Sequence, residues 1–242
     1  MNSEKIIQTL DHAILHPTTT DKDLIREINK LDEYPIASFC VPPCQVKLAA
    51  QESKKTPICT VIGFPHGNTS TQTKAAESIQ AIQDGAQELD MVLNIGKALS
   101  EDWRTVSNEI ETISEISQKN QKILKVIFET DFLNGKEIYL RNLCKICSDL
   151  GVDFIKTSTG FGYTKQKSGD YNYIGATGET IKRMIQYSSS AMKIKASGGI
   201  RTAKDAATFI QLGCSRIGTG SSLKIIGELM GTKQRVELET NY

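Results

Sequence analysis

A chain of 242 residues, 39% hydrophobic and 24% charged, is long enough to bury a substantial core as one large α/β domain or two small ones. Its net charge of +1, with no acidic or basic tail, argues against the basic face that nucleic acid or an anionic membrane surface requires. No run of about eighteen apolar residues occurs, and Met1-Asn2-Ser3-Glu4-Lys5 has no apolar stretch behind its charge, so neither a membrane span nor a signal peptide is expected.

The elements alternate. A short leading helix (Ser3 to Thr9) precedes a first strand-like run, Leu10 to Leu15, closed by His16-Pro17. Thr20 caps a helix from Asp21 to Leu31 whose Leu24, Ile25, Ile28 and Leu31 mark one apolar face. Strand two, Ile36 to Val41, stops at Pro42-Pro43 and gives way to a helix from Cys44 to Lys54. Strand three is Ile58 to Phe64, followed by the loop Pro65-His66-Gly67-Asn68 and a helix from Thr71 to Asp84. Strand four is Leu89 to Ile95, after which Ser100 is expected to cap a long helix to Gln118. Strand five, Ile123 to Glu129, leads through Asn134-Gly135 to a helix ending before Gly151, and strand six carries Phe154-Ile155-Lys156. A helix from Glu179 to Tyr187, strand seven (Met192 to Ala196), a Thr202-capped helix to Leu212, strand eight (Ser215 to Gly218) and a last helix from Ser221 complete the series.

Short apolar strands, each followed by an amphipathic helix at a repeat of roughly 22 to 38 residues, predict a single (β/α)₈ TIM barrel over residues 1–242, with one short extra N-terminal helix. A doubly wound sheet would place a glycine-rich fingerprint after strand one. Here Asp11-His12-Ala13 occupies that region, and the glycine-rich turns follow strands seven and eight.

Three chargeable side chains interrupt the apolar strands: Asp90 in strand four, Lys156 in strand six and Lys195 in strand seven. A lysine buried in such a run loses proton affinity, unless it snorkels from the strand end to solvent. Neighbouring strands lie about 4.8 Å apart, so inward lysines on strands six and seven bring their amines together and disfavour double protonation. That combination prepares a Schiff-base nucleophile, with the second cation holding the first neutral and a carboxylate relaying protons. Strand parity leaves Lys193 as an alternative to Lys195, and Asp90 with Lys125 also reads as a structural ion pair low in the barrel. The turns Ser197-Gly198-Gly199-Ile200-Arg201-Thr202 and Gly218-Thr219-Gly220-Ser221-Ser222 are either tight turns or, as a pair, a phosphate site in which helices starting at Thr202 and Ser221 direct N–H groups at the anion.

The six cysteines lack a dense framework and read as reduced thiols of a cytoplasmic protein. Cys144-x-x-Cys147 resembles half a zinc site, but it lies in a helical pattern with no second pair to complete it, so no metal is expected.

Taken together, Phe154-Ile155-Lys156-Thr157-Ser158-Thr159-Gly160, Lys195-Ala196-Ser197-Gly198-Gly199-Ile200-Arg201 and Glu88-Leu89-Asp90-Met91-Val92 resemble the deoxyribose-phosphate aldolases. The likeness runs nearly end to end, through Ser38-Phe39-Cys40-Val41-Pro42-Pro43, Val61-Ile62-Gly63-Phe64-Pro65 and Lys125-Val126-Ile127-Phe128-Glu129-Thr130. The resemblance implies a metal-independent, cofactor-free class I aldolase of deoxyribonucleotide catabolism. It would reversibly cleave 2-deoxy-D-ribose 5-phosphate to D-glyceraldehyde 3-phosphate and acetaldehyde. Lys156 would carry the Schiff base, Lys195 would tune it, and Asp90 would move protons. Gly198, Gly199, Gly220, Ser221 and Ser222 would hold the phosphate, while Asp11 and Thr159 would contact substrate at the mouth. The resemblance is compatible with a homodimer.

Phe161 departs from the family pattern, since many members carry there a lysine that assists phosphate binding. The segment 162–175, with Lys165 and Lys167, reads either as a loop that closes over the phosphate and replaces that cation or as a solvated loop. Cys40 reads as core or as a pocket thiol, His66 as structural or as a substrate contact, and Tyr242 as a frayed end or one folded back onto the site. Two other functions fit the same scaffold: an isomerase using Asp11 and Asp90 as acid and base, and a non-catalytic sugar-phosphate sensor.

Overall fold

The computed structural model describes residues 2–133, 136–165 and 167–231; Asn134, Gly135 and Tyr242 lie outside them. Helix α1 (Ser3–Ile7) leads into β1 (Leu10–Ala13) and α2 (Asp21–Leu31), then β2 (Ser38–Val41) and α3 (Val46–Glu52), then β3 (Ile58–Ile62) and α4 (Thr71–Gln83). Two helices, α5 (Ile95–Leu99) and α6 (Trp103–Lys119), follow β4 (Glu88–Val92), and α7 (Glu137–Asp149) follows β5 (Ile123–Ile127). After β6 (Phe154–Lys156) comes a small hairpin, β7 (Thr164–Lys165) with β8 (Tyr171–Asn172), and then α8 (Gly178–Tyr187). The chain continues through β9 (Lys193–Ser197), α9 (Ala203–Gln211), β10 (Arg216–Thr219) and α10 (Ser222–Met230). The hairpin apart, the strands pair in parallel around a closed ring in the order β1-β10-β9-β6-β5-β4-β3-β2, so strands seven and eight of the sequence reading are β9 and β10.

Local chemistry sets the helix starts. Thr20 and Thr202 each form a reciprocal capping box with the aspartate three residues on, Asp23 and Asp205. Ser100 caps no helix start. Asn94 caps α5 and Asp102 caps α6, its carboxylate accepting the Thr105 N–H at 3.2 Å. Between them Glu101 adopts a left-handed φ of 58° that separates the two helices, and Ile95, expected to end strand four, opens α5 instead. The Ser100 hydroxyl turns back to the Gly96 carbonyl, the competing bond that serines make at helix ends. Cys44 likewise falls in a 3₁₀ turn (Pro43–Gln45) begun by the proline pair, and α3 starts only at Val46.

Strand alternation sends Leu89, Met91, Leu124, Val126, Ile155 and Ile194 outward against the helices, all buried, each worth about 1.5–3 kcal/mol. One charged pair sits in that outer layer. Lys74 of α4 is wholly buried, and its Nζ donates to Glu109 of α6 at 2.7 Å and to the carbonyls of Gly67 at 2.8 Å and Val92 at 2.7 Å. Glu109 also accepts the Asn94 N–H, so the pair ties the loops after β3 and β4 to two helices. Among the described residues no helix is long and apolar enough to cross a membrane.

Candidate active site

The same alternation turns polar side chains into the lumen, where they form a continuous ionic layer. Lys156 and Lys195 are direct partners in the β6/β9 register, and Asp90 Oδ2 accepts from both ammonium groups, at 2.8 and 2.7 Å. Asp90 Oδ1 accepts from Lys125 at 2.8 Å and from the Cys59 thiol at 3.2 Å. Lys125 also meets Glu88 at 2.6 Å. Arg216 bridges Glu88 at 2.7 Å and Asp11, and Asp11 meets Lys195 at 2.5 Å. Gly218 makes room for this last contact, because a Cβ there would lie 3.0 Å from the Lys195 Cε. Four cationic groups (Lys125, Lys156, Lys195, Arg216) thus face three carboxylates (Asp11, Glu88, Asp90).

Burial alone would raise the carboxyl of Asp90, but the ammonium groups of Lys125, Lys156 and Lys195 outweigh it and hold it well below the usual range. Asp11 is drawn down in the same way, against burial, by Lys195, Lys125 and Arg216. Burial works against the charge on Lys195, yet Asp11 and Asp90 hold its pKa above the usual lysine value. The sequence reading set two ammonium groups against each other; the fold interposes a carboxylate between them. Asp11, expected at the mouth, is buried in this layer with its carboxylate also accepting from Ser38 at 2.8 Å. Lys125 and Asp90 form the buried ion pair of the alternative sequence reading, and Lys193 is exposed, its ammonium over the Phe154 ring.

The two glycine turns differ. At Gly198 (φ +94°) an added Cβ would lie 2.9 Å from the Gly175 Cα, so only glycine lets the turn after β9 pass beneath the stem of the hairpin, where Ala176 N–H donates to the Gly198 carbonyl. The expectation that the Thr202 helix offers free N–H groups to an anion is overturned. Asp205 accepts from the Arg201 and Thr202 N–H groups, and Glu228 accepts from Ala203 at 2.7 Å. No side chain caps α10, whose first turn follows Gly220 and Ser221. The Ser222 hydroxyl is buried on His12 Nδ1 at 3.0 Å, which leaves its N–H as the group facing the helix N-terminus.

The Thr159 hydroxyl, expected on substrate, is bonded to Glu129, a residue the sequence reading left as the end of a strand. Glu129 is buried, has a left-handed φ of 51°, and accepts the Thr159 N–H at 3.2 Å as well. Gly162 abuts it, since a Cβ there would lie 2.7 Å from the Glu129 Cδ. Asp131 fixes the other end of the segment by accepting the Ile174 N–H at 2.6 Å and the Gly175 N–H at 3.1 Å. Burial pushes the Glu129 carboxyl up to about 7 against the pull of the Thr159 bonds. A carboxyl raised in the folded state keeps a proton that the unfolded chain has released. Stability therefore falls as pH rises from about 4.5 to about 7 and levels off above. Urea unfolding of wild type and Glu129→Gln at pH 5 and pH 8 is expected to show this decline in wild type alone, and equal pH dependence of the two proteins would refute it.

Phe161 packs edge-on against Phe64 with ring centroids 5.4 Å apart. Lys165 and Lys167 are exposed on and beside the hairpin, and His66 is exposed at the rim. Cys40 is buried with Cys59 and Val61 against Leu15 and Phe64. Cys144 and Cys147 lie on the buried face of α7 in the core, where burial pushes the Cys144 thiol up to about 12. A recess of about 530 Å³ bordered by Lys54, Lys55, Gln87 and Gln121 opens at the N-terminal rim of the barrel and shares only Glu88 with the ionic layer.

Comparison with known proteins agrees with the fold. The sequence profile of the DeoC/LacD family aldolases matches residues 5–232. A deoxyribose-phosphate aldolase of Treponema denticola is 44% identical over 90% of this chain and 96% of its own length, and one of Streptococcus pyogenes is 42% identical over 93% and 96%. Among solved structures, the aldolase QR15 superposes with a TM-score of 0.85 at 36% identity, covering 93% of this chain and 96% of that one. The tetrameric deoxyribose phosphate aldolase of Aeropyrum pernix gives 0.81 at 26% identity over 95% and 92%. A closed parallel barrel, a lysine pair on one carboxylate and a family profile spanning nearly the whole sequence lead to one conclusion: the chain is an enzyme of the DeoC/LacD aldolase family.

Proposed function

We propose that the protein is a class I aldolase that reversibly cleaves 2-deoxy-D-ribose 5-phosphate to D-glyceraldehyde 3-phosphate and acetaldehyde through a Schiff base on Lys156, a step of deoxyribonucleotide catabolism. The observation that carries this reading is that one oxygen of Asp90 accepts from both Lys156 and Lys195. The Schiff base needs Lys156 as an amine, and Lys125, Lys195 and Arg216 then balance Asp11, Glu88 and Asp90 one for one. The Lys156 nitrogen adds to the aldehyde carbon, and the carbonyl oxygen leaves as water. The resulting iminium accepts the electron pair of the C2–C3 bond as the C3 hydroxyl loses its proton, which releases the triose phosphate and leaves an enamine. Protonation at C2 and hydrolysis release acetaldehyde and restore the amine. Asp90 lies within hydrogen-bond reach of this nitrogen and relays its protons, and Lys195, held as a cation by Asp11 and Asp90, stands beside it.

The uncapped first turn of α10, with Ser221 and Ser222, suits the phosphate together with the backbone at Gly198, Gly199 and Gly220. Lys165 and Lys167 would add charge from the hairpin. Lys165→Ala/Lys167→Ala is expected to raise KM for the phosphorylated sugar roughly fivefold with kcat unchanged, and an unchanged KM would make the hairpin a solvated loop. An isomerase using Asp11 and Asp90 as acid and base is disfavoured, because it has no use for the two inward lysines that both meet the Asp90 carboxylate. Borohydride reduction in the presence of acetaldehyde tests the main reading. An ethyl group is expected on Lys156; mass addition at no lysine would remove the Schiff base.

A further inference from the structure

The lumen wall carries two thiols that the aldolase reading does not use. Cys40 on β2 and Cys59 on β3 are direct partners in the parallel register, and both are buried. Their sulfurs and a carboxylate oxygen of Asp90 all lie within 4.8 Å of one another. Paired Cα atoms on adjacent strands stand roughly 4.8 Å apart, inside the roughly 4.4–6.8 Å range of disulfides. Side chains that converge on a barrel axis are closer still. We propose that Cys40 and Cys59 form a reversible disulfide when a hydroperoxide enters the barrel, making a redox site in direct contact with Asp90.

Access and reactivity both favour this pair. The lumen has to admit a small aldehyde to Lys156, which is as buried as the thiols, and hydrogen peroxide is smaller. The Cys59 thiol is engaged, donating its proton to Asp90 Oδ1 at 3.2 Å, which leaves Cys40 as the attacking sulfur. Its thiolate displaces hydroxide from the peroxide and becomes a sulfenic acid. The Cys59 sulfur then attacks the Cys40 sulfur. Its proton and the sulfenic hydroxyl leave as water, and Lys125, 3.3 Å from the Cys59 sulfur, steadies the charge that develops there. The disulfide removes the thiol donor that Asp90 Oδ1 now receives from Cys59 at 3.2 Å, so activity falls when it forms. The other buried thiols lack this arrangement: burial outweighs a hydrogen bond at each of Cys144 and Cys214 and pushes both up to about 12.

Access for the peroxide rests on the aldolase reading, and peptide mapping tests the disulfide separately from it. Cys44 is exposed and would confuse the products, so the parent protein for the test is Cys44→Ser. After hydrogen peroxide, alkylation of free thiols and proteolysis, a peptide containing Cys40 is expected joined to one containing Cys59. Dithiothreitol should separate them and restore the activity lost. Cys40 oxidised to sulfinic acid beside a free Cys59, both thiols still free, or Cys59 joined to another residue would each overturn the proposal. Adding Cys59→Ser, which retains a hydroxyl donor toward Asp90, is expected to send Cys40 to the sulfinic acid with no recovery by dithiothreitol. Full recovery in that variant would also overturn it.

Discussion

Lys156→Ala is expected to lower kcat by on the order of 10⁴-fold or more while leaving the protein folded. The first half follows from removing the only atom proposed to bond to substrate, without which the C2–C3 electron pair has no sink. The second follows from the charge count in the lumen. Removing Lys156 takes away the fourth cation, and Asp90 keeps Lys125 and Lys195 as partners, so no buried carboxylate is orphaned. Single-turnover assays and thermal unfolding of the same preparation separate the two effects. Aldolase activity within tenfold of wild type, roughly 1.4 kcal/mol in the barrier, in a folded Lys156→Ala protein would move the covalent intermediate to another residue.

The second large effect is on stability. Lys74→Met is expected to cost about 3–5 kcal/mol, because it strands Glu109 in a region without water and leaves the carbonyls of Gly67 and Val92 without their donor. Burial works against the charge on Lys74, with Glu109 opposing that effect, so the pair survives only as a pair. The double change Lys74→Met/Glu109→Leu should recover part of the loss. Urea midpoints for the three proteins check this, and a single-variant loss below about 1 kcal/mol would show that the pair behaves like an exposed one.

Much of the barrel was legible because outward strand residues are uniformly apolar and the helices carry their own caps; Thr20 and Thr202 fall where the structure has them. Lys156, Lys195 and Asp90 were legible because each interrupts an apolar run. Asp102 was not, because a serine two residues earlier offers an equally good local cap and only the left-handed turn at Glu101 decides between them. Glu129 was missed for a different reason. Its significance lies in a bond to Thr159 on the neighbouring segment, and nothing in the spacing of residues along one strand reports which loop will fold against its end. Lys74 sits in a helix where a lysine is ordinary, and its burial depends on α6 lying across it.

The ionic layer also bears on how the enzyme is made. Arg216 and Asp11 sit on β10 and β1, the last and first strands of the barrel, and their contact lies across the seam where those strands meet. Lys195 and Asp90 join that contact from β9 and β4. During synthesis Asp11 leaves the ribosome more than two hundred residues ahead of the arginine that neutralises it. A nascent chain that lacks β10 therefore has Lys156 and most of its apolar core, but not the balance of charge around either. Docking of the final strand completes the balance of charge around Asp11 and Glu88.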